Sequence, residues 1–145
     1  MIGVLLLSVL AGCASSKLDP AFVGQKIIVF KSESCGCCDL YVNYLEKQGF
    51  NVEVQDMLDL TGIKKEFKVP QEVRSCHVSK VGDYFVEGHV PVEAITKLLK
   101  EKPQIAGIAL PGMPSGSPGM PGAKDGPFVV LAVGKDGKIT EFMRL

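Results

Sequence analysis

The sequence predicts an α/β fold: a mixed β-sheet with flanking helices and a β-hairpin added at the C-terminal end. Over residues 26–54, a buried-strand pattern, an amphipathic helix pattern and a second strand pattern follow one another. Residues 73–90 and 128–142 each contain two strand-like runs joined by turn residues. A chain of 145 residues is long enough for one such domain.

The first predicted unit runs from a strand through a helix to a second strand. Residues 26–31 (KIIVFK) are typical of a buried strand, and in residues 51–54 apolar and polar side chains alternate. Between them lies a helix that Ser34 or Asp39 could cap and that Gly49 ends. We expect one face of this helix to carry Leu40, Tyr41, Tyr44, Leu45 and Gln48.

A short helix and a hairpin follow this unit. Ile63 and Phe67 are spaced for one face of a short helix. In the hairpin, residues 73–78 form one arm and residues 84–86 the other, with a Gly-Asp turn at residues 82–83.

The last third of the chain adds a helix, a loop and a second hairpin. Pro91 opens the helix and Pro103 ends it. The apolar stripe of this helix consists of Val92, Ile95, Leu98 and Leu99. Residues 107–127 are rich in Gly, Pro and Met and predict a loop. Residues 128–133 and 139–142 predict two strands joined by a Lys-Asp-Gly turn, which either extend the sheet or fold over the site.

The predicted element order, β-α-β, helix, β-β-α, is that of a thioredoxin-like domain. Such folds place a reactive cysteine pair at the turn between the first strand and the first helix. Residues 34–39 (SCGCCD) occupy that turn in this sequence. We therefore expect the chemistry of the protein to lie at this turn.

The N-terminal residues predict export from the cytoplasm. Residues 1–13 (MIGVLLLSVLAGC) form an apolar run that ends in small residues, as a secretory signal does, and the run is too short to span a bilayer. The ending resembles a bacterial lipoprotein signal, in which Cys13 carries the lipid; the alternative is a plain signal peptide cut slightly later. Residues 14–25 are then a tether and residues 26–145 the folded domain. The predicted location is the periplasm, with membrane anchoring as a lipoprotein.

Composition and charge narrow the functional classes. Lys and Arg total 16 and Asp and Glu total 16, so the formal net charge is zero, and this balance argues against a nucleic-acid partner.

The chain contains five cysteines, and four of them remain in the folded domain once Cys13 is assigned to lipid. In an oxidising compartment such thiols become disulfides unless a metal protects them.

Three cysteines crowd the turn before the first helix. Cys35 and Cys38 have the C-x-x-C spacing of a redox dithiol, and the positive end of a helix favours thiolate there. Cys37 has no role in a simple dithiol and could mispair with it. Since thiolates are also soft metal ligands, the third cysteine favours a metal site.

Cys76 and the two histidines of the chain, His77 and His89, fall within the predicted first hairpin. Cys76 and His77 are expected on a strand that approaches the cysteine turn, and His89 at the far end of the hairpin. Together with the three clustered cysteines this makes six candidate ligands, whereas one tetrahedral zinc needs four. The excess of sulfur favours a small polynuclear Cu(I) cluster, and zinc is the alternative.

A repeat in the predicted loop supplies two further soft ligands. Residues 111–114 (PGMP) recur as residues 118–121. The thioethers of Met113 and Met120 can bind Cu(I) and cannot form disulfides, so this loop could pass copper in or out. The alternative is that both side chains only cover apolar surface.

Four ordered motifs, CGCC, SCH, EGHVP and LPGMPSGSPGM, resemble the bacterial periplasmic copper-resistance CopG family, a metal-binding family formerly labelled a domain of unknown function. The resemblance covers residues 26–142. It implies a thioredoxin-like fold, export to the periplasm and a multinuclear copper centre. The ligands that it implies are Cys35, Cys37, Cys38, Cys76, His77 and His89.

The leading hypothesis is therefore a periplasmic protein that binds several Cu(I) ions for copper resistance or homeostasis, a role compatible with Cu(I)/Cu(II) redox cycling. Its expected partners are copper ions, other periplasmic copper-resistance proteins and, through the lipid, the membrane. Two alternatives stay open: a thiol–disulfide oxidoreductase that uses Cys35 and Cys38, and a structural zinc protein. The residues favour metal binding without excluding an enzyme.

Overall fold

The computed structural model describes residues 17–145. The predicted signal sequence, with the lipid-accepting Cys13, and residues 14–16 of the predicted tether lie outside them. In the rest of the predicted tether, Leu18 is buried in the main core and Asp19 forms a salt bridge with Lys100. This segment therefore packs against the folded domain. No helix among the described residues is long and apolar enough to cross a membrane.

A seven-stranded mixed sheet forms the centre of the fold. The strands are β1 (Lys26–Lys31), β2 (Asn51–Asp56), β3 (Val78–Val81), β4 (Tyr84–Gly88), β5 (Ile105–Leu110), β6 (Val129–Gly134) and β7 (Ile139–Arg144). Their order in space is β2-β1-β3-β4-β5-β6-β7. The pairs β1–β2 and β4–β5 are parallel, and the other neighbours are antiparallel.

Within residues 17–145, three helices flank this sheet. They are α1 (Gly36–Gln48), α2 (Thr61–Glu66) and α3 (Val92–Glu101), and short 3-10 turns lie at Pro20–Phe22 and Gln71–Val73. The predicted class, an α/β fold with a mixed sheet, flanking helices and an added C-terminal hairpin, is confirmed. The hairpin of β6 and β7 extends the sheet at its edge.

Alternating side chains of the central strands build two cores, one on each face of the sheet. Val29 and Val86 belong to the larger core, which also takes the buried side chains of α1 and α3. Their neighbours Phe30 and Phe85 belong to the smaller core, against which Ile63 of α2 packs. The first helix and the first strand, which meet at the cysteine turn, are thus both anchored in the larger core.

Helix α1 begins inside the cysteine turn. Its N-cap residue is Cys35, which makes no side-chain cap hydrogen bond, so the predicted capping by Ser34 or Asp39 is wrong. Asp39 instead forms a salt bridge with the buried Lys31 at the end of β1, with 2.9 Å between the charged atoms. The helix ends at Gly49 as predicted, where a φ of 107° gives the left-handed cap that glycine favours.

The buried face of α1 is turned slightly from the predicted face. Its buried residues are Cys38, Tyr41, Val42 and Leu45. Leu40, which belongs to the predicted face, is 56% exposed, because at about 100° per residue it lies to one side of the line through Tyr41 and Leu45. The same rotation turns Cys38 into the core.

The first arm of the predicted hairpin is shorter than expected. β3 begins at Val78, so Cys76 and His77 lie in the connection that precedes it and not on a strand. The backbone of Ser75 bonds to the side chains of Lys64 and Glu87, which replace the ladder bonds that a strand would make.

The loop predicted over residues 107–127 starts later in the structure, after residue 110. Its first four residues belong to β5, which is parallel to β4 and antiparallel to β6. The run Ile105–Leu110 is apolar throughout, as expected for a strand with neighbours on both sides and helices on its faces. Its glycine and the Pro-Gly sequence directly after it gave the run the composition of a loop.

Gly88, the last residue of β4, permits a close approach of three chain segments. Its φ is 78°, a left-handed value. A Cβ atom at this position would lie 2.7 Å from the Leu110 carbonyl oxygen and 2.9 Å from the Ser75 Cβ atom. The connection that carries Cys76 can therefore lie against β4 only because residue 88 has no side chain.

We expect Gly88→Ala to lower the free energy of unfolding by about 2–3 kcal/mol, because the alanine adds both backbone strain and steric overlap. Urea unfolding of the metal-free protein measures this change. Gly62→Ala in α2 is the control, since a Cβ there meets no atom within 4 Å and alanine has the higher helix propensity. An unchanged stability of Gly88→Ala would contradict the argument.

Candidate metal centre

The cysteine turn joins the end of β1 to the start of α1. The carbonyl of Cys35 accepts hydrogen bonds from the backbone N–H groups of Cys38 and Asp39, which fixes the first turn of the helix. Cys35 and Cys38 form a disulfide. Cys37 is a free thiol, and its sulfur lies 3.5 Å from that of Cys35.

The connection before β3 brings Cys76 between the two histidines. The Cys76 sulfur lies 3.2 Å from Nδ1 of His77 and 3.1 Å from Nε2 of His89. Both imidazole rings are fully buried, whereas Cys76 keeps partial exposure. His89 directly follows β4, so the pairing of β3 with β4 determines the distance between the two histidines.

The six predicted site residues come together as two overlapping groups. The sulfur atoms of Cys35, Cys37, Cys38 and Cys76 lie within 4.8 Å of one another. The ligand atoms of Cys76, His77 and His89 meet the same limit. Cys76 belongs to both groups, and this gives one continuous set of soft donors. That these residues bind metal stays a prediction.

His89 presents a lone pair toward Cys76. Its Nδ1 atom lies 2.7 Å from the Pro118 carbonyl oxygen, and because a carbonyl only accepts, Nδ1 must carry the proton. Burial lowers the pKa of His89, so the ring is neutral near pH 7 and Nε2 is unprotonated. A metal-binding histidine commonly donates its other N–H to a carbonyl in this way.

Without metal, Cys76 and the two histidines are uncharged. Burial, with a smaller effect of His89, lowers the pKa of His77 to about 3. Burial and the neighbouring Cys37 raise the pKa of Cys76 to about 11, which keeps its thiol protonated. Nε2 of His77 has no hydrogen-bond partner among residues 17–145. Two neutral imidazoles and a partly exposed thiol form a donor set that a soft cation fits. The cation takes the place of the thiol proton and so balances the charge of the thiolate.

Tyr41 packs against both histidines from α1. Its ring centroid lies 4.7 Å from that of His77 and 5.4 Å from that of His89. The hydroxyl donates a hydrogen bond of 2.9 Å to the carbonyl of Val90. The fully buried Tyr41 therefore connects the helix that carries the cysteines to the strand end that carries His89.

The second Pro-Gly-Met-Pro repeat lies against the site through its backbone. Pro118 accepts the hydrogen bond from His89. Gly119, with a φ of 80°, passes so close to α1 that a Cβ would lie 2.7 Å from the Tyr41 nitrogen and 2.9 Å from the Cys37 carbonyl oxygen. Met113 is exposed and Met120 is half-buried. A copper-binding role for these two methionines stays a prediction.

Sequence reasoning missed the residues that support the connection before β3. Lys64 and Glu87 form a buried ion pair, with 2.6 Å between the ammonium nitrogen and the carboxylate oxygen. Glu87 stands in an otherwise apolar strand, YFVEG, directly before Gly88 and His89. The charged Glu87 within an apolar strand could have indicated a buried ion pair, since charged residues are seldom fully buried without a partner. The identity of the partner, 23 residues away, has no local signal.

The fold and the site define an α/β protein in which a Cys/His cluster forms between a strand-to-helix turn and the ends of a β-hairpin. The family model described as "Protein of unknown function, DUF411" matches residues 73–120, which include Cys76, His77 and His89. Two solved structures are also similar. They are "Copper resistance protein copG- Form 1" and "Copper resistance protein copG- Form 2".

The structural similarity extends over nearly the whole described chain. Form 1 is 35% identical with a TM-score of 0.78, and the match covers 84% of this chain and 98% of that chain. Form 2 has the same identity and TM-score, with 83% and 98% covered. No curated protein sequence matches this chain. The chain belongs to the CopG copper resistance protein family.

We expect Tyr41→Phe to lower the free energy of unfolding by about 1–2 kcal/mol, because the buried carbonyl of Val90 loses the hydrogen bond from the tyrosine hydroxyl while the ring packing is retained. Urea unfolding of the metal-free protein measures the loss. Tyr84→Phe is the matched control. Tyr84 also donates to a carbonyl, that of Pro103, but it is half-exposed, so water can replace the bond and the loss should be smaller. Equal losses in the two variants would contradict the role given to Tyr41.

Proposed function

We propose that this protein binds several Cu(I) ions in the periplasm and serves copper resistance or homeostasis. The observation that carries the proposal is the convergence of four sulfur atoms and two buried imidazoles, with Cys76 common to both groups. The proposed ligands are Cys35, Cys37, Cys38, Cys76, His77 and His89.

The donor chemistry supports copper over zinc. A single zinc ion takes four ligands in a closed tetrahedral site, and six donors exceed that number. Thiolates select Cu(I), and a thiolate can bridge two ions. Cys76 is the proposed bridging ligand, because its sulfur lies within 4.8 Å of the other three cysteine sulfurs and of a ring nitrogen of each histidine.

The family supports the physiological role. The two similar solved structures are named as copper resistance proteins, and this chain matches almost their full length. The apolar residues 1–13 support export, with attachment to a membrane through a lipid on Cys13. Residues 14–25 would then lead from the lipid to the domain of residues 26–145. Other periplasmic copper-resistance proteins are the proposed partners for copper transfer.

The disulfide makes copper binding depend on the redox state. In the oxidised form, Cys35 and Cys38 are bonded to each other and cannot both act as thiolate ligands. Two Cu(II) ions can accept the two electrons released when these two thiols form the disulfide, which yields two Cu(I) ions and two protons. The same residues therefore support both Cu(I) binding in the reduced form and Cu(I)/Cu(II) redox cycling.

A second candidate function is thiol–disulfide exchange with other proteins. The observation that favours it is the Cys35–Cys38 disulfide at the N-terminus of α1, where the helix dipole stabilises a thiolate. Insulin reduction that survives Cys76→Ala but is lost in Cys35→Ala would support this function.

We expect the reduced protein, loaded with Cu(I) without oxygen, to hold more than one copper per chain. Cys37→Ser should lower this number, because it removes one of the four sulfur donors. Ser34→Ala, at the same turn, should leave the number unchanged. Metal analysis measures the stoichiometry, and X-ray absorption measures the ratio of sulfur to nitrogen ligands. One copper or less per chain, unaffected by Cys37→Ser, would exclude the cluster. Displacement of copper by equimolar zinc would support the zinc alternative instead.

Oxidation of the Cys35–Cys38 pair should lower the number of bound copper ions, and a thiol reductant should restore it. The double variant Cys35→Ser/Cys38→Ser lacks the disulfide, so its lower copper number should not change with the redox state of the solution. Copper per chain is measured in the wild type and in the double variant before and after reduction. A wild-type protein that binds equally in both states would show that Cys35 and Cys38 are not ligands.

A further inference from the structure

A buried ion pair lies beneath the connection that carries Cys76 and His77. Lys64 of α2 and Glu87 of β4 have side chains that are 5% and 0% exposed, with 2.6 Å between their charged atoms. Neither residue is among the six proposed copper ligands. The pair joins elements on different sides of this connection, the helix α2 and the strand β4.

The pair holds both backbone polar groups of Ser75. The Glu87 carboxylate accepts the Ser75 N–H, and the Lys64 ammonium donates to the Ser75 carbonyl. That carbonyl belongs to the peptide bond leading into Cys76. We call this arrangement of Lys64, Glu87 and the Ser75 backbone the Ser75 clamp.

A second contact fixes the other side of Cys76. The carbonyl of His77 accepts a hydrogen bond of 3.1 Å from the Gly88 N–H. Gly88 also lies directly against Ser75, with no room for a side chain between them. Cys76 is therefore flanked by two fixed carbonyls: the Ser75 clamp binds the carbonyl of the residue before it, and β4 binds the carbonyl of the residue after it.

The energetics indicate that the Ser75 clamp serves to position the backbone of Ser75 and not to stabilise the fold. Taking a carboxylate and an ammonium out of water costs several kcal/mol for each, and a well-packed apolar pair of similar volume is often equally stable. The second oxygen of Glu87 has no hydrogen-bond partner among residues 17–145, so the pair is not fully compensated. What an apolar pair cannot do is bind the N–H and carbonyl of Ser75.

We propose that Lys64 and Glu87 are positioning residues, which place the Cys76 sulfur between the two histidines and so increase the affinity for copper. This inference rests on the proposed function for its copper readout, but it also predicts a property of the metal-free protein. Groups that orient metal ligands typically change the affinity about 10–100-fold when they are removed.

The test compares two double variants that both lack the buried charges. Lys64→Met/Glu87→Gln retains an amide oxygen that can accept the Ser75 N–H, whereas Lys64→Met/Glu87→Leu retains no acceptor. We expect the Leu variant to bind Cu(I) about tenfold more weakly or worse in competition with a colorimetric Cu(I) chelator, and the Gln variant to lose less. Glu53→Gln, which breaks the exposed salt bridge with Lys26, is the matched control and should bind like the wild type.

A metal-free readout separates this inference from the proposed function. The rate at which Cys76 is alkylated in the metal-free protein, resolved by mass spectrometry, should rise in the Leu variant, with a smaller rise in the Gln variant. Circular dichroism and urea unfolding identify any variant that fails to fold. If the wild type binds no copper, the proposed function fails while the alkylation rates still test the clamp. Equal copper affinities and equal alkylation rates in the two folded double variants would overturn the clamp.

Discussion

The site depends on one buried side chain, Tyr41, which joins its two halves. Cys35, Cys37 and Cys38 lie at the start of α1, whereas Cys76 and the two histidines lie beside the ends of the β3–β4 hairpin, and these are separate elements of the chain. Tyr41 packs against both imidazole rings and bonds to the carbonyl of Val90, one residue after His89. Because the tyrosine also belongs to the larger core, the packing of α1 on the sheet determines the distance between the sulfur and nitrogen donors.

Around Tyr41, most of the support for the site comes from backbone groups. Pro118 fixes the tautomer of His89, the Gly88 N–H binds the carbonyl of His77, and Gly119 packs on the first turn of α1. Two of these three contacts need a glycine in the left-handed region, where a side chain would be strained. This explains why the Pro-Gly-Met-Pro repeat lies against the site independently of what its methionine sulfurs bind.

The sequence predicted the parts of the molecule that rest on local patterns. The unit β1–α1–β2 and the C-terminal hairpin followed from periodicity, and the convergence of Cys76 with His89 followed from the hairpin between them. β5 was missed because Gly107 and the following Pro111 gave an interior strand the composition of a loop. The Lys64–Glu87 pair was missed because it forms between residues 23 positions apart, and only the folded chain brings them together.

On the proposed function, Cys37 is the residue that distinguishes this site from a redox dithiol. A turn with only Cys35 and Cys38 would lose both of its thiols to the disulfide. With Cys37 present, the turn keeps a free thiol beside Cys76, and Cys76 keeps its contacts with both histidines. The oxidised form therefore still contains two thiols and two imidazoles in one place. Closing the disulfide would change the number of ions that the site can hold without dispersing the remaining ligands.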